Sequence, residues 1–314
     1  MKVVLLAGGT GGAKLAHGLQ MVLPPGDLTV IVNVADDTER FGLLVCPDLD
    51  TILYTLSGLA DREQGWGVAG DTSSALAMFE RYGEEAWFRI GDADLATLVH
   101  RDRLMREGSS LTDATAATAA ALGIATHLVA ATDDRMRTWI QTDSGEEIDF
   151  QEYFVHRGQQ EIVRAVRFDG VEATHPSQAA LDALATADLV VIGPSNPIVS
   201  IGPILAIPGL REALVASPAQ RIGVSGIVGG RALRGPADRM LASLGHESSA
   251  VGVARLYAGL VERFVVDEVD AGLAPAIEAL GMSVSVLPTV MVSDDDRARL
   301  AAALLELVEG MLGE

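Results

Sequence analysis

The chain has 314 residues, 49% hydrophobic and 21% charged, enough for a large core or for one domain carrying a sizeable insertion. Its formal net charge of -20 argues against general nucleic-acid binding, because the surface as a whole would repel a phosphate backbone. No apolar run approaches the ~20 residues of a membrane span and the N-terminus enters a strand without a charged leader, so a cytoplasmic protein with no membrane partner is expected.

Val3 to Leu6 is an apolar run, and Ala13 to Leu23 has helical spacing through Leu15, Leu19 and Val22. Gly8-Gly9-Thr10-Gly11-Gly12 between them reads as the first strand-to-helix turn of an α/β sheet. Glycines at such a turn let backbone N–H groups approach an anion, and the helix start adds unpaired N–H groups and the positive end of its dipole. A diphosphate is the expected ligand, held by Gly8, Gly9, Thr10, Gly11, Gly12 and Lys14, one of only two lysines. The other reading is tight packing alone. The dinucleotide fingerprint asks for a third glycine where Lys14 stands, and the P-loop asks for Gly-Lys-Ser/Thr where Ala13-Lys14-Leu15 stands, so neither motif is met.

Leu28 to Val34 reads as a buried second strand ending in Asp36-Asp37, where carboxylates either meet a ribose or base or form a solvated turn. Cys46, the single cysteine, reads as a buried thiol. Pro47-Asp48-Leu49-Asp50-Thr51 then starts a helix carrying Ile52, Leu53 and Leu56. One aspartate suffices as a cap, so the other is free for a hydroxyl or a metal. Trp66-Gly67 and Asp71-Thr72 precede another helix, and Trp87 to Ile90 suggests a short strand or a helix end. Arg89 there either snorkels or aims at an anion or a ring, and Gly91-Asp92-Ala93-Asp94 is a second cation candidate.

Residues 95–167 break the rhythm with an Ala-rich helix, Leu111 to Leu122, and a hairpin around Asp143-Ser144-Gly145, suggesting an inserted α+β subdomain in a core of residues 1–94 and 168–314. Its Arg101, Arg103 and Arg106 read as a solvated helix face rather than a phosphate clamp. The sheet resumes at Ala187 to Ile192 and stops at Gly193-Pro194-Ser195-Asn196-Pro197, a second phosphate-loop candidate with Gly193, Ser195 and Asn196 as ligands. Arg221 to Ser225, Phe264 to Val266, Val284 to Leu287 and a helix from Asp294 complete a Rossmann-like three-layer sandwich with a mainly parallel sheet.

Gly8 to Leu15, Cys46 to Thr51, Trp66-Gly67, Asp71-Thr72, Gly91 to Asp94, Ser110 to Thr112 and Gly193 to Pro197, in this order, resemble the 2-phospho-L-lactate transferase family of coenzyme F420 biosynthesis. The resemblance implies transfer of a phosphorylated three-carbon acid from a guanosine-diphosphate-activated donor to the ribityl hydroxyl of the deazaflavin Fo, with Mg2+ and release of GMP. It places Fo on Asp50 and Arg89. Asp48 and Asp50 are the expected catalytic carboxylates, and these two with Asp92 and Asp94 are the expected cation ligands. Leu98 departs from relatives that often carry histidine there, which points proton acceptance to a carboxylate. A homodimer is the expected assembly. Two rivals are a non-catalytic nucleotide-sugar-binding regulator sharing the first turn, and an NAD-type oxidoreductase, against which the missing third glycine counts. The sequence leaves the acid open among lactyl, enolpyruvyl and glyceryl forms.

Overall fold

The computed structural model describes residues 1–312, with side chains through Val308. Seven short runs dominated by Val, Ile and Leu form one sheet: β1 (Val3–Ala7), β2 (Leu28–Val32), β5 (His127–Ala130), β9 (Leu189–Ile192), β10 (Gln220–Val224), β13 (Arg263–Val266) and β14 (Ser283–Val286). They lie in the order β14-β13-β10-β9-β1-β2-β5, and every pairing is parallel. Strands covered on both faces need no polar side, which is why β1 reads Val-Val-Leu-Leu-Ala and is buried throughout. Each such side chain withdrawn from water contributes about 1.5–3 kcal/mol, so the middle of the sheet is its most firmly held part.

From β1 the chain builds outward through β2 to β5, then returns to place β9 on the other side of β1 and continues through β10 to β14. Val3 pairs with Leu28 on one side and with Leu189 on the other, so the loops leaving β1 and β9 emerge side by side. This reversal is the topological switch point, where open α/β sheets leave a crevice.

The helix α1 (Gly9–Val22) begins at Gly9, four residues before the helical spacing becomes legible. Glycine is a poor helix former, so the sequence pattern understates the helix, and packing against β1 and the loop after β9 overrides propensity. The helix α2 (Pro47–Leu56) starts at the predicted proline, and α3 (Ser74–Tyr82) follows it. Trp87 to Ile90 forms neither strand nor helix end but an irregular segment. Its ring at Trp87 lies under the Arg40 guanidinium, 4.4 Å from the ring centre, from the hairpin of β3 (Thr38–Arg40) and β4 (Leu43–Val45).

The segment expected as an insertion divides. Helices α4 (Asp92–Arg106) and α5 (Leu111–Ala121) lead into β5, which is the edge strand of the central sheet, so they belong to the core. The departure from the sheet is residues 137–169, an antiparallel unit of β6 (Arg137–Thr142), β7 (Glu147–Asp149) and β8 (Val163–Asp169) in the order β7-β6-β8. The β6–β7 hairpin turns at Asp143-Ser144-Gly145, with Gly145 N–H donating to Thr142 at 3.0 Å. A small ribbon of β11 (Ile227–Val228) and β12 (Arg231–Ala232) follows β10. Among the described residues no helix is long and apolar enough to cross a membrane.

Candidate active site at the sheet switch point

The first turn of α1 is held from two directions. Gly8 N–H donates to Ser195 Oγ at 3.1 Å, and Gly9 N–H donates to Asp48 Oδ1 at 2.8 Å. The phosphate-loop candidates after β1 and β9 are therefore one structure. Space is short: a methyl on Gly11 would stand 2.2 Å from the Pro194 carbonyl, and one on Gly12 would stand 2.7 Å from both Ala7 Cβ and Ser195 Oγ. Gly12 and Gly193 do not line the cavity described below, and their role is packing. At Gly9 the reason differs: its φ of +60° is left-handed, and a Cβ there would meet only Asp48 Oδ1 at 3.9 Å. A side chain at Gly11 would thus test packing, whatever it did to a ligand.

Asp48 is not a helix cap, since Cys46 occupies that position without a side-chain bond. The carboxylate instead joins three segments, accepting from Gly9 N–H and, at 2.9 Å, from Asn33 Nδ2, which also donates to the Val199 carbonyl at 3.2 Å. Burial raises its pKa to about 6, partly offset by the bonds from Asn33 and Gly9. Beside it, Asp36 is held well above the usual carboxylate range by burial and then by the charge of Asp48. Asp36 Oδ1 is buried without a hydrogen-bond partner.

Asp50 is tied to Arg101 through both carboxylate oxygens, Nη1 reaching Oδ2 at 3.2 Å and Nη2 meeting Oδ1. Arg101 is 3% exposed, so it does not belong to a solvated face. Arg103 and Arg106 do, pairing with Glu107 and Asp102 one turn away. An i,i+3 or i,i+4 pattern of charge cannot show that one member points inward, because Arg101 is drawn in by a carboxylate fifty-one residues distant in sequence. Asp94 accepts from the Tyr54 hydroxyl at 2.6 Å, and its pKa is raised to about 6 by burial first and by Asp50 next. Asp92 lies outside the cavity: its oxygens take Thr72 Oγ1, Ser74 N–H and Ala75 N–H, capping α3. Asp71 returns the favour by accepting from Ala93 and Asp94 N–H groups at the start of α4.

The expected cation set of Asp48, Asp50, Asp92 and Asp94 is therefore corrected. Asp50 is neutralised by Arg101, Asp92 caps a helix and Asp94 holds Tyr54, which leaves Asp48 with Asp36. Among the described residues no three His, Cys, Asp or Glu side chains form a metal-holding group. Two carboxylates that repel each other, one with an unpartnered buried oxygen, suit a hard divalent ion that completes its shell with phosphate oxygens and water.

These groups surround one cavity of about 770 Å3, within the range of small-molecule sites. Gly8 to Gly11, Lys14, Ser195 and Asn196 line it, as do Asp48, Asp50, Asp94 and the exposed Arg89. Asn196 also stiffens its own loop, its Oδ1 accepting from Ile198 N–H at 2.9 Å. The aromatic lining, Trp66, Trp87, Phe88, Phe150 and Phe154, was not assigned from the sequence, and neither was Arg234. Phe150 and Phe154 stack on each other with centres 5.4 Å apart, four residues apart in the β7–β8 connection. Aromatic residues scattered over ninety positions carry no pattern, and only the fold gathers them.

Residues 3–293 match the family model of 2-phospho-L-lactate transferase CofD. A phosphoenolpyruvate transferase from Streptomyces griseus is 41% identical over 314 residues, covering 98% of this chain and 99% of that protein. A 2-phospho-L-lactate transferase from Methanosarcina mazei is 37% identical over 304 residues, covering 97% and 99%. Among solved structures, protein BH3568 from Bacillus halodurans superposes with a TM-score of 0.68 at 19% identity, over 97% of this chain and 99% of that one, a likeness of fold. Match over nearly the whole length, together with a cavity that gathers the motif residues, shows that this chain belongs to the 2-phospho-L-lactate transferase family, a family of enzymes that transfer phosphate-containing groups.

Proposed function

We propose that the protein transfers phosphoenolpyruvate, or its lactyl counterpart, from a guanosine-diphosphate-activated donor to the ribityl hydroxyl of Fo, in the synthesis of coenzyme F420. The observation that carries this reading is the joining, in one cavity, of an anion-binding helix start, an acidic pair and an aromatic wall. Relatives named for both acids match over 99% of their length, and those named phosphoenolpyruvate transferase reach 41% identity. A regulator that only binds a nucleotide has no use for an aromatic wall that reaches past the phosphate turn to Asp50 and Arg89.

The backbone at Thr10 and Gly11, in the first turn of α1, receives the diphosphate, because N–H groups there lack intrahelical acceptors. Arg89 and the aromatic side chains orient the flat deazaflavin, and Asp50, fixed by Arg101, meets its ribityl chain. The acceptor oxygen bonds to the phosphorus carrying the three-carbon acid, and the bond from that phosphorus to GMP breaks, its electron pair leaving with GMP. Asp94, with a pKa of about 6, is ionised at neutral pH and able to take the hydroxyl proton. Mg2+ held by Asp48 and Asp36 would neutralise charge on the phosphate oxygens. The remaining work is positioning.

Deazaflavin fluorescence tests the acceptor assignment. Fo should give a saturable signal with the wild type, and Arg89→Ala should weaken it about tenfold, the loss of one charge-assisted contact. A flat titration of the wild type would reject Fo, and undiminished turnover in excess chelator would remove the cation.

A further inference from the structure

Lys14 and Arg234 are two cations of the same cavity wall that spend their hydrogen bonds on neutral groups. Lys14 Nζ donates to the Met291 carbonyl at 2.8 Å, and the Arg234 guanidinium donates to the carbonyls of Gln64 at 2.6 Å and Glu63 at 3.0 Å. Among the described residues neither pairs with a carboxylate, although acidic side chains outnumber basic ones by 43 to 23. Neighbouring arginines are paired: Arg62 and Arg297 with Asp294, Arg101 with Asp50. Burial, Arg297 and then Arg234 pull the Lys14 pKa down, so the two cations are close enough to repel.

We propose that Arg234 and Lys14 clamp the diphosphate of a nucleoside diphosphate, and that Arg234 passes this binding to loop 61–67. The clamp rests on the guanosine-diphosphate donor reading. A diphosphate carries charged oxygens on two phosphorus atoms, one for each cation, and so converts their repulsion into two charge-assisted bonds, which a monophosphate reaching one of them would not. The loop that Arg234 holds is tied to itself: Gly65 N–H donates to the Asp61 carbonyl at 2.8 Å, Asp61 N–H to Gly67 at 3.1 Å, and the Asp61 carboxylate accepts from Glu63 and Gln64 N–H groups. These bonds make the loop one internally tied unit. Thr10 Oγ1, in the first turn of α1, touches it at the Gly65 carbonyl, 3.3 Å away, and Trp66 carries a ring from it to the cavity. Fixing the guanidinium on an anion therefore fixes the loop and Trp66 over the ligand.

Calorimetry with GDP and GMP, paired with trypsin cleavage at Arg62 inside the loop, reads both halves of the proposal. The wild type should prefer GDP to GMP and should be protected at Arg62 by GDP. Arg234→Met and Lys14→Met should each weaken GDP about tenfold or more, move GMP less, and so shrink the preference. Arg234 is exposed, so its variant should melt with the wild type. Saturating GDP should no longer protect Arg62 in Arg234→Met. Variants that keep the wild-type GDP preference would overturn the clamp and leave the donor reading standing, as would equal losses for GDP and GMP. Protection retained in Arg234→Met would overturn the link to the loop. A wild type that does not bind GDP would overturn the donor reading and the clamp with it.

Discussion

Arg101→Met should cost about 3–5 kcal/mol of folding stability, because it leaves the Asp50 carboxylate buried without its counter-charge. Against a total of about 5–15 kcal/mol this is a large share, and for a chain of 314 residues the melting temperature should fall by about 5–8 °C. The side chains are 3% and 7% exposed, so solvent neither screens the pair nor replaces it once broken. Arg103→Met, on the same helix, removes an exposed pair with Glu107 and should change stability by less than about 0.5 kcal/mol. Two thermal melts check the contrast. Removing both charges in Arg101→Met with Asp50→Asn should recover part of the loss, since what destabilises is the orphan charge and not the missing pair. Equal, small shifts in both single variants would mean that the pair is not buried. Because Asp50 lines the cavity, the same substitution should weaken Fo binding even in protein that stays folded.

Asp36→Asn should separate stability from activity. Burial and the neighbouring Asp48 charge both hold the Asp36 pKa up, so the fold favours the protonated form. The sign follows: a raised pKa contributes stability that is present below the unfolded value, 3.8, and is lost as pH rises toward the folded value. Asp48, raised to about 6, acts in the same direction. In chelator, the wild type should gain from these groups on going from pH 7 to pH 5, and Asp36→Asn should melt above the wild type at pH 7 with a smaller advantage at pH 5. Turnover should fall about a hundredfold or more, the usual consequence of removing one charged partner from a phosphoryl-transfer site. Melts at the two pH values and one assay decide it. A variant destabilised at pH 7 would mean that Asp36 is hydrogen-bonded as an anion, and unchanged turnover would take it out of the site.

The sheet was legible because parallel strands are continuous apolar runs, and β1, β2, β9 and β10 fall where such runs stand. The loops at their carboxyl ends were legible for the same reason, and Gly9, Lys14, Asp48, Asp50, Ser195 and Asn196 all reach the cavity. What stayed hidden is what long-range contacts decide. Nothing near Arg101 in sequence says that it turns inward to Asp50, and nothing near Asp92 says that its oxygens cap α3. The reach of α1 back to Gly9 was masked by glycines chosen for closeness to Pro194 and Ser195. From the sequence Asp36 reads as a ribose or base contact or as part of a solvated turn, because its importance lies in the charge of Asp48 beside it. The false boundary at residue 95 came from weak amphipathicity in α4 and α5, whose strand β5 completes the sheet.

The most direct test offers purified protein Fo with each guanylylated acid in turn, in the presence of Mg2+, and weighs the products by mass spectrometry. A mass equal to Fo plus the phosphorylated three-carbon acid less one water, with GMP released in equal amount and the enolpyruvyl donor giving the larger yield, is the predicted result. Product from the lactyl donor alone would reassign the acid. Fo recovered unchanged with every donor would contradict the transferase mechanism proposed for this site.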